Sequence, residues 1–374
     1  MRFIHTSDWH LGRTFHGADM RRFQRDFLEF LVREAASHQV DAVLVAGDVY
    51  DRALPGPEVI AMFDDAVDAL LETGAQVVIS SGNHDSGPRL GYGRRRFARA
   101  GLHLRTVPAD IADPVRLEDA HGPVEVYGIP YLEPGLVWRD LGAAHRTHQA
   151  VLTAAVERIL AGRDTLPHRS VVLAHAFITG ATPSDSERDV SVGGLGNAGA
   201  SVFTPFDYTA LGHVHRPQAI TSAVRYSGSP LPYSFSEAGV PKTVSLVELG
   251  EAGELELEQI PVPAGRPLAV LEGSFEQLRT DPAFAFAEGA FVSARLDDTA
   301  RVPHAMARLR ERFAHLVHLE WTSRLPAAPA TRLGAGSGPS DEEIFSAYLR
   351  HVTGNPAGTA QRRAFAEAML EARA

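Results

Sequence analysis

Residues able to bind a cation or carry a proton recur at the ends of short apolar runs. Asp8 and His10 lie in "TSDWHLG", Asp48 and Asp51 in "GDVYD", and Asn83, His84 and Asp85 in "GNHD"; His175 follows in "AHA", and His213 and His215 in "LGHVH". Each motif alone is weak, because Asp-x-His arises by chance and a lone histidine is usually a satisfied core residue. The ordered series is far more specific. Asp8, His10, Asp48, Asn83, His175, His213 and His215 form a mixed oxygen and nitrogen donor set. Two divalent ions call for such a set, and manganese, iron and zinc all suit it.

Strands must position these residues. "DAVLVAGD" (41–48), "AQVVISSGNHD" (75–85), "VEVYGIPY" (124–131), "SVVLAHA" (170–176) and "YTALGHVH" (208–215) are continuously apolar and end in polar residues. Such runs predict strands covered on both faces. Helical spacing appears between the early runs, in Phe23, Phe27, Phe30 and Leu31 and again in Val59, Phe63, Val67 and Leu70, and those apolar residues read as core. Alternating strands and helices predict an α/β fold, in which the carboxyl ends of neighbouring strands converge on one rim. Residues two apart on an extended chain face the same side, which offers a reason for the spacing of Asp8/His10 and of His213/His215.

The chain has 374 residues, enough for two or three units, and no cysteine. Disulfides, thiolate-held metals and thiol catalysis are therefore excluded. The net charge of −10 argues against an anionic partner unless cations cluster. Lys242 is the one lysine, and arginines gather at Arg13, Arg21, Arg22 and Arg25 and at Arg94, Arg95, Arg96 and Arg99. Arg13 and Arg94–Arg96 are the candidates for contacting phosphates of an anionic partner; the plain alternative is a solvated helix face. The first residues run into charge too early for a signal peptide, and no apolar run reaches membrane length, so a cytoplasmic location is expected. Past residue 262 a small strand–helix unit (263–324) precedes a Pro/Gly/Ala/Ser-rich linker (325–340). Two apolar stripes then follow at helical spacing (341–374). No phosphate-cradling G-x-x-x-x-G-K-S/T occurs, so ATP is not expected to bind.

The metal-ligand series resembles that of the calcineurin-like metallophosphoesterase superfamily. Within it, "MRFIHTSDWHLGR", "AGDVYDR", "SGNHD", "YGIPYL", "SDSER…VGG" (184–194), "LGHVH" and "YSGSPLPYSFSE" (226–237) resemble the SbcD family of bacterial nuclease subunits over roughly residues 1–240. The resemblance implies a four-layer α-β-β-α sandwich for residues 1–262 and a small α+β capping domain at 263–324 on the DNA-binding side. It further implies a C-terminal helical hairpin (341–374) that binds an SbcC-type ATPase, and a homodimer. Asp8, His10 and His215 would hold one ion, Asn83, His175 and His213 a second, and Asp48 would bridge them, the ions being most naturally Mn2+. His84 would face the scissile phosphate, with Asp51 where the superfamily places a residue that orients it. The implied activity is metal-dependent DNA cleavage, as 3′→5′ exonuclease and endonuclease, on hairpins and blocked ends. Phosphomonoesterase or cyclic-nucleotide phosphodiesterase activity is the alternative within the superfamily, and a scaffold without metals is disfavoured by the complete ligand set. Two divalent ions outweigh Asp8 and Asp48, so an acidic chain would still carry a locally cationic site.

Overall fold

The computed structural model describes residues 1–163, 169–187, 196–263, 265–323 and 340–373. The expected linker at 325–340, apart from Ser340, lies outside the described residues, as does the end of the "SDSER…VGG" segment.

Four strands, Arg2–Thr6 (β1), Ala42–Ala46 (β2), Gln76–Ser80 (β3) and Leu102–Arg105 (β4), run parallel in the order of the chain. Val115–Asp119 (β5), Gly122–Ile129 (β6), Arg169–His175 (β7), Tyr208–Gly212 (β8) and Val224–Tyr226 (β9) build a second sheet, parallel from β6 through β9. The chain then returns to the first sheet as a hairpin, Thr243–Leu249 (β10) and Leu255–Pro261 (β11), with β10 antiparallel to β1. Among the described residues each of the two sheets has six strands, the second being completed by the two-residue strand Gln218–Ala219, antiparallel to β9 at its edge.

Alternate residues of these strands explain the layers. Phe3, Leu44, Val78 and Val247 of the first sheet pack on Val126, Val171, Leu173 and Tyr208 of the second, which makes the sheet-on-sheet core. The opposite face of the first sheet, Ile4, Val43, Val45, Val77 and Ile79, is covered by Arg21–Ser37 (α1) and Pro57–Glu72 (α2) through Phe27, Phe30, Leu31, Val59 and Val67. Burying each such side chain is worth about 1.5–3 kcal/mol. The second sheet's outer face packs on Pro134–Leu141 (α3) and His148–Gly162 (α4) through Leu141, Val151, Leu152 and Ile159. Helix, sheet, sheet and helix are thus stacked as expected.

A smaller parallel sheet follows, Leu268–Gly273 (β12), Phe291–Leu296 (β13) and Leu316–Trp321 (β14), with its own core of Leu271, Phe275, Leu278, Val292, Leu309 and Phe313. It joins the main body through one apolar cluster, where Phe291 meets Phe15, Met20, Leu231 and Tyr233. Here Phe23 leaves the α1 core pattern, packing against this cluster instead. The final helices, Asp341–Thr353 and Thr359–Arg373, stack Phe345 on Phe365 at 4.2 Å, while Ile344, Tyr348, Val352 and Leu370 remain exposed. Among the described residues no helix is long and apolar enough to cross a membrane.

Candidate metal centre and active site

The strand ends deliver the candidate ligands, but not along an extended backbone. β1 stops at Thr6 and β8 at Gly212. Asp8 (φ 53°), His10 (φ 46°), Asp48 (φ 50°) and His213 (φ 100°) then adopt the left-handed conformation. The extended-chain reason for the Asp8/His10 and His213/His215 spacings is therefore corrected. A left-handed residue turns the chain sharply, and the two ligands of each pair share a site because the loop curls around it. Such a backbone costs of order 1–3 kcal/mol per residue and persists where the surroundings over-determine it. Here they do. Asp8 N–H donates to the Gly47 carbonyl (3.0 Å), His10 N–H to that of Asp48 (3.0 Å) and Leu11 N–H to that of Val49 (2.9 Å), pinning one ligand loop to the next.

Close approach is the second device. A Cβ at Gly82 would strike the Asp48 carboxylate, and one at Gly47 the imidazole of His175. Without side chains there, His84 N–H reaches Asp48 Oδ1 at 2.8 Å. Asp85 braces the turn by accepting from the backbone N–H groups of Gly82 (2.9 Å), Tyr50 (3.0 Å) and Val49 (3.2 Å).

The structure brings Asp8, His10, Asp48, Asn83, His84, His175, His213 and His215 together. Ligand atoms of Asp8, His10 and His215 lie within 4.8 Å of one another, as do those of Asp8, Asp48 and His175, and of His10, Asp48 and His84. His10 Nε2 faces His215 Nε2 at 3.0 Å. Asn83 Oδ1 lies 2.9 Å from His175 Nε2 and 3.1 Å from His213 Nδ1. Asp48 Oδ2 sits 3.4 Å from His175 Nε2 and 3.6 Å from His10 Nε2, a central place among both groups. The backbone N–H of His213 donates to both oxygens of Asp8, at 3.0 and 3.1 Å.

The electrostatics ask for a cation. Burial pushes the carboxyl of Asp8 up from its ordinary value. Burial also opposes the charge on Asp48, yet His175, His10 and His84 hold that carboxylate well below the usual range. Burial alone would keep His175 neutral, but Asp48 and Asp8 push it up to about 9. Burial drives His10 well below its ordinary value and takes His213 down to about 3, so both offer lone pairs. Among the described residues His10 Nδ1 is buried with no hydrogen-bond partner. Two buried carboxylates, imidazole nitrogens of His10 and His215 turned toward each other and an orphaned ring nitrogen fit divalent cations.

His84 Nδ1 contacts the Asp51 carbonyl at 2.8 Å. A carbonyl only accepts, so Nδ1 carries the proton and Nε2 turns to the cluster, 4.0 Å from Asp48 Oδ2. Asp51 thus reaches His84 through its main chain. Its carboxylate points elsewhere, 3.8 Å from both His10 Nδ1 and Arg13 Nε. Arg13 is built into the rim, donating to the Ser186 carbonyl at 2.8 Å and lying 4.9 Å over the Tyr233 ring. Arg94 is paired with Asp110 at 2.7 Å, whereas Arg95 and Arg96 are exposed on the one-turn helix Arg94–Phe97.

A model of the calcineurin-like phosphoesterase family matches residues 1–217. The chain is 35 % identical over 292 residues to the SbcD component of the SbcCD nuclease of Escherichia coli strain K12, spanning 74 % of this chain and 72 % of that one. The SbcD component from Staphylococcus saprophyticus is 34 % identical over 284 residues, spanning 74 % and 73 %. That of Staphylococcus epidermidis is 28 % identical over 322 residues, spanning 85 % of each chain. The chain belongs to the SbcD family of calcineurin-like phosphoesterases. The resemblance stated from the motifs therefore holds, and the α-β-β-α layering is the family's.

Some residues around this SbcD-type centre carried no role in the sequence reading. Tyr233 donates its hydroxyl to the Trp9 carbonyl at 2.6 Å and packs edge-on to His10. Ser186, Glu187, Glu237 and Lys242 surround His215. The available signals were the "SDSER" and "YSFSE" segments, which matched the family without explaining why, and a single lysine in an arginine-rich chain.

Proposed function

We propose that this chain is a metal-dependent DNA nuclease, the nuclease subunit of an SbcC–SbcD-type complex. The observation that carries the reading is the position of His84. Its ring is fixed by the Asp51 carbonyl, and Nε2 faces a buried cluster of Asp and His side chains. Family membership, with nuclease subunits as relatives, supports a nucleic acid over other phosphate esters, and DNA is the substrate proposed.

In this reading Asp8, His10 and His215 would hold one divalent ion and Asn83, His175 and His213 another, with Asp48 available to both and Mn2+ the natural occupant. When bound, such ions supply an activated water and draw charge from phosphoryl oxygens. The chain's own residues do the rest. His84, with Nδ1–H held by the Asp51 carbonyl, would act through Nε2, donating a second proton carried there to a phosphate oxygen or to the leaving oxygen, a contribution of roughly 10²–10⁴-fold. Asp51 and Asp48 keep its ring and backbone in place. Arg13 presents a cation at the rim, and Arg95 and Arg96 are available to track a backbone. Residues 1–262 form the nuclease domain, 263–324 cap it on the DNA side, and the hairpin at 341–374, joined by the linker at 325–340, docks the ATPase through its exposed Tyr348, Val352 and Leu370. The working form is a cytoplasmic homodimer that cuts hairpins and blocked ends as endonuclease and 3′→5′ exonuclease.

The test offers an end-labelled DNA hairpin and a phosphomonoester to the purified protein with Mn2+. Cleavage of the hairpin, lost by about 10²-fold or more in His84→Ala, is the expected result. Turnover of the monoester with intact DNA would move the protein to the phosphatase branch.

A further inference from the structure

His215 is gripped at three points by side chains outside the metal cluster. Its backbone N–H donates to Glu187 Oε1 at 2.7 Å, its carbonyl accepts from Lys242 Nζ at 2.9 Å, and its ring Nδ1 lies 2.6 Å from Ser186 Oγ. Behind these stands a buried chain of partners. Ser186 Oγ reaches Glu237 Oε1 at 2.7 Å, and the other Glu237 oxygen is bound by Lys242 Nζ. Lys242 spends its remaining N–H on Ser229 Oγ at 3.0 Å, so each of its three donors has an acceptor. Ser186, Glu237, Lys242 and His215 are all buried.

The directions of these bonds follow from the groups. Ser186 Oγ also lies 2.8 Å from Ser184 Oγ, a hydroxyl able to donate or accept. The Glu237 carboxylate at 2.7 Å only accepts, so the single Ser186 proton goes to Glu237. The Ser186 oxygen must then accept from His215, which places the imidazole proton on Nδ1. Nε2 is left as a bare lone pair facing His10 Nε2 at 3.0 Å. The opposite assignment would set the lone pairs of Ser186 and Glu237 against each other at 2.7 Å. Isolated buried charges are costly unless paired and hydrogen-bonded, and here a lysine and a glutamate are buried together to secure one serine.

We infer that Ser186, Glu237 and Lys242 are positioning residues that lock His215 in the Nδ1–H tautomer and aim its Nε2 into the metal centre. The inference rests on the metal-centre reading above and gives the "SDSER" and "YSFSE" segments a physical task. It also gives one to the chain's single lysine, which is placed where a compact ammonium finds three acceptors and a planar guanidinium would not fit the same geometry. Groups behind a metal-binding histidine set its tautomer and orientation, and their loss typically weakens metal binding 10–100-fold.

Two measurements test it, both on the full chain. The first reads the ring 15N shifts of His215 in metal-stripped protein at pH 8, assigned by comparison with His215→Gln. A proton on Nδ1 is expected, and a proton on Nε2 would overturn the inference whatever the protein binds. The second measures Mn2+ binding by calorimetry, with thermal melting in EDTA alongside. Ser186→Ala should bind Mn2+ about 10–100-fold more weakly while still melting as a cooperatively folded protein, and Ser186→Thr should restore binding. Unchanged affinity in Ser186→Ala would overturn the inference, and so would failure of the threonine to rescue. If the parent protein takes up no Mn2+, the metal-centre reading falls, and the tautomer alone then decides the lock.

Discussion

At the scale of single residues, the roles divide by which atom does the work. His84 and Asp51 illustrate it. The sequence placed an aspartate where an orienting residue belongs, and the natural reading is a carboxylate on an imidazole. The structure uses the Asp51 carbonyl for that contact and turns the carboxylate toward His10 and Arg13. Replacing Asp51 by alanine keeps the carbonyl, so cleavage in Asp51→Ala should fall less than about tenfold, against 10²-fold or more for His84→Ala. Initial rates of hairpin cleavage at saturating Mn2+ check this, and equal losses in the two variants would show that the carboxylate is needed after all. Donor types were legible, because Asp, Asn and His at successive strand ends signal a site for divalent transition-metal ions. Which atom of Asp51 acts was not, since main-chain groups leave no trace in residue identity.

At the scale of elements, continuous apolar runs made the inner strands legible and helical spacing found α1 and α2. The loops were less so. Four candidate ligands have positive φ although none is glycine, and no composition rule marks such positions, because tertiary hydrogen bonds rather than local preference hold them. The glycines beside them did leave a signal. Gly82 lets the "GNHD" turn approach Asp48, so Gly82→Ala should lose about 1–3 kcal/mol of stability from overpacking together with most Mn2+ binding. Urea unfolding in EDTA and calorimetry with Mn2+ measure the two effects. Full stability would mean that Asp48 and the turn separate freely, against the packing described.

At the scale of the whole molecule, a two-sheet sandwich brings strand ends distant in sequence to one rim. The small parallel sheet is anchored at the edge of that site by Phe291 against Phe15 and Tyr233. Burial on this scale also sets the response to acid. His5 lies inside the sandwich on the Tyr208 hydroxyl (2.9 Å) and the Leu211 carbonyl (3.1 Å), and burial holds it down at about 3. The histidine is neutral when folded, while the unfolded chain takes up a proton below about pH 6.5. Its contribution is complete above that pH and drains as pH falls toward 3, by roughly 1.4 kcal/mol per unit. His5→Gln should therefore be about 2 kcal/mol less sensitive to a shift from pH 7 to pH 5. Chemical denaturation in EDTA at the two pH values reads this, and parallel pH dependence in both proteins would contradict it. The net charge of −10 misleads at this scale, because a small buried centre rather than the surface sum decides what the site attracts.

In the proposed function the Asp/His cluster binds divalent ions, and those ions drive DNA cleavage. The most direct measurement titrates metal-stripped protein with Mn2+, counting bound ions and following hairpin cleavage in the same samples. Cleavage should be absent without metal and should rise as about two ions bind per chain. Undiminished cleavage by protein shown to be free of metal would contradict the proposal, and so would two bound ions lost from the Asp48→Ala variant with no loss of cleavage.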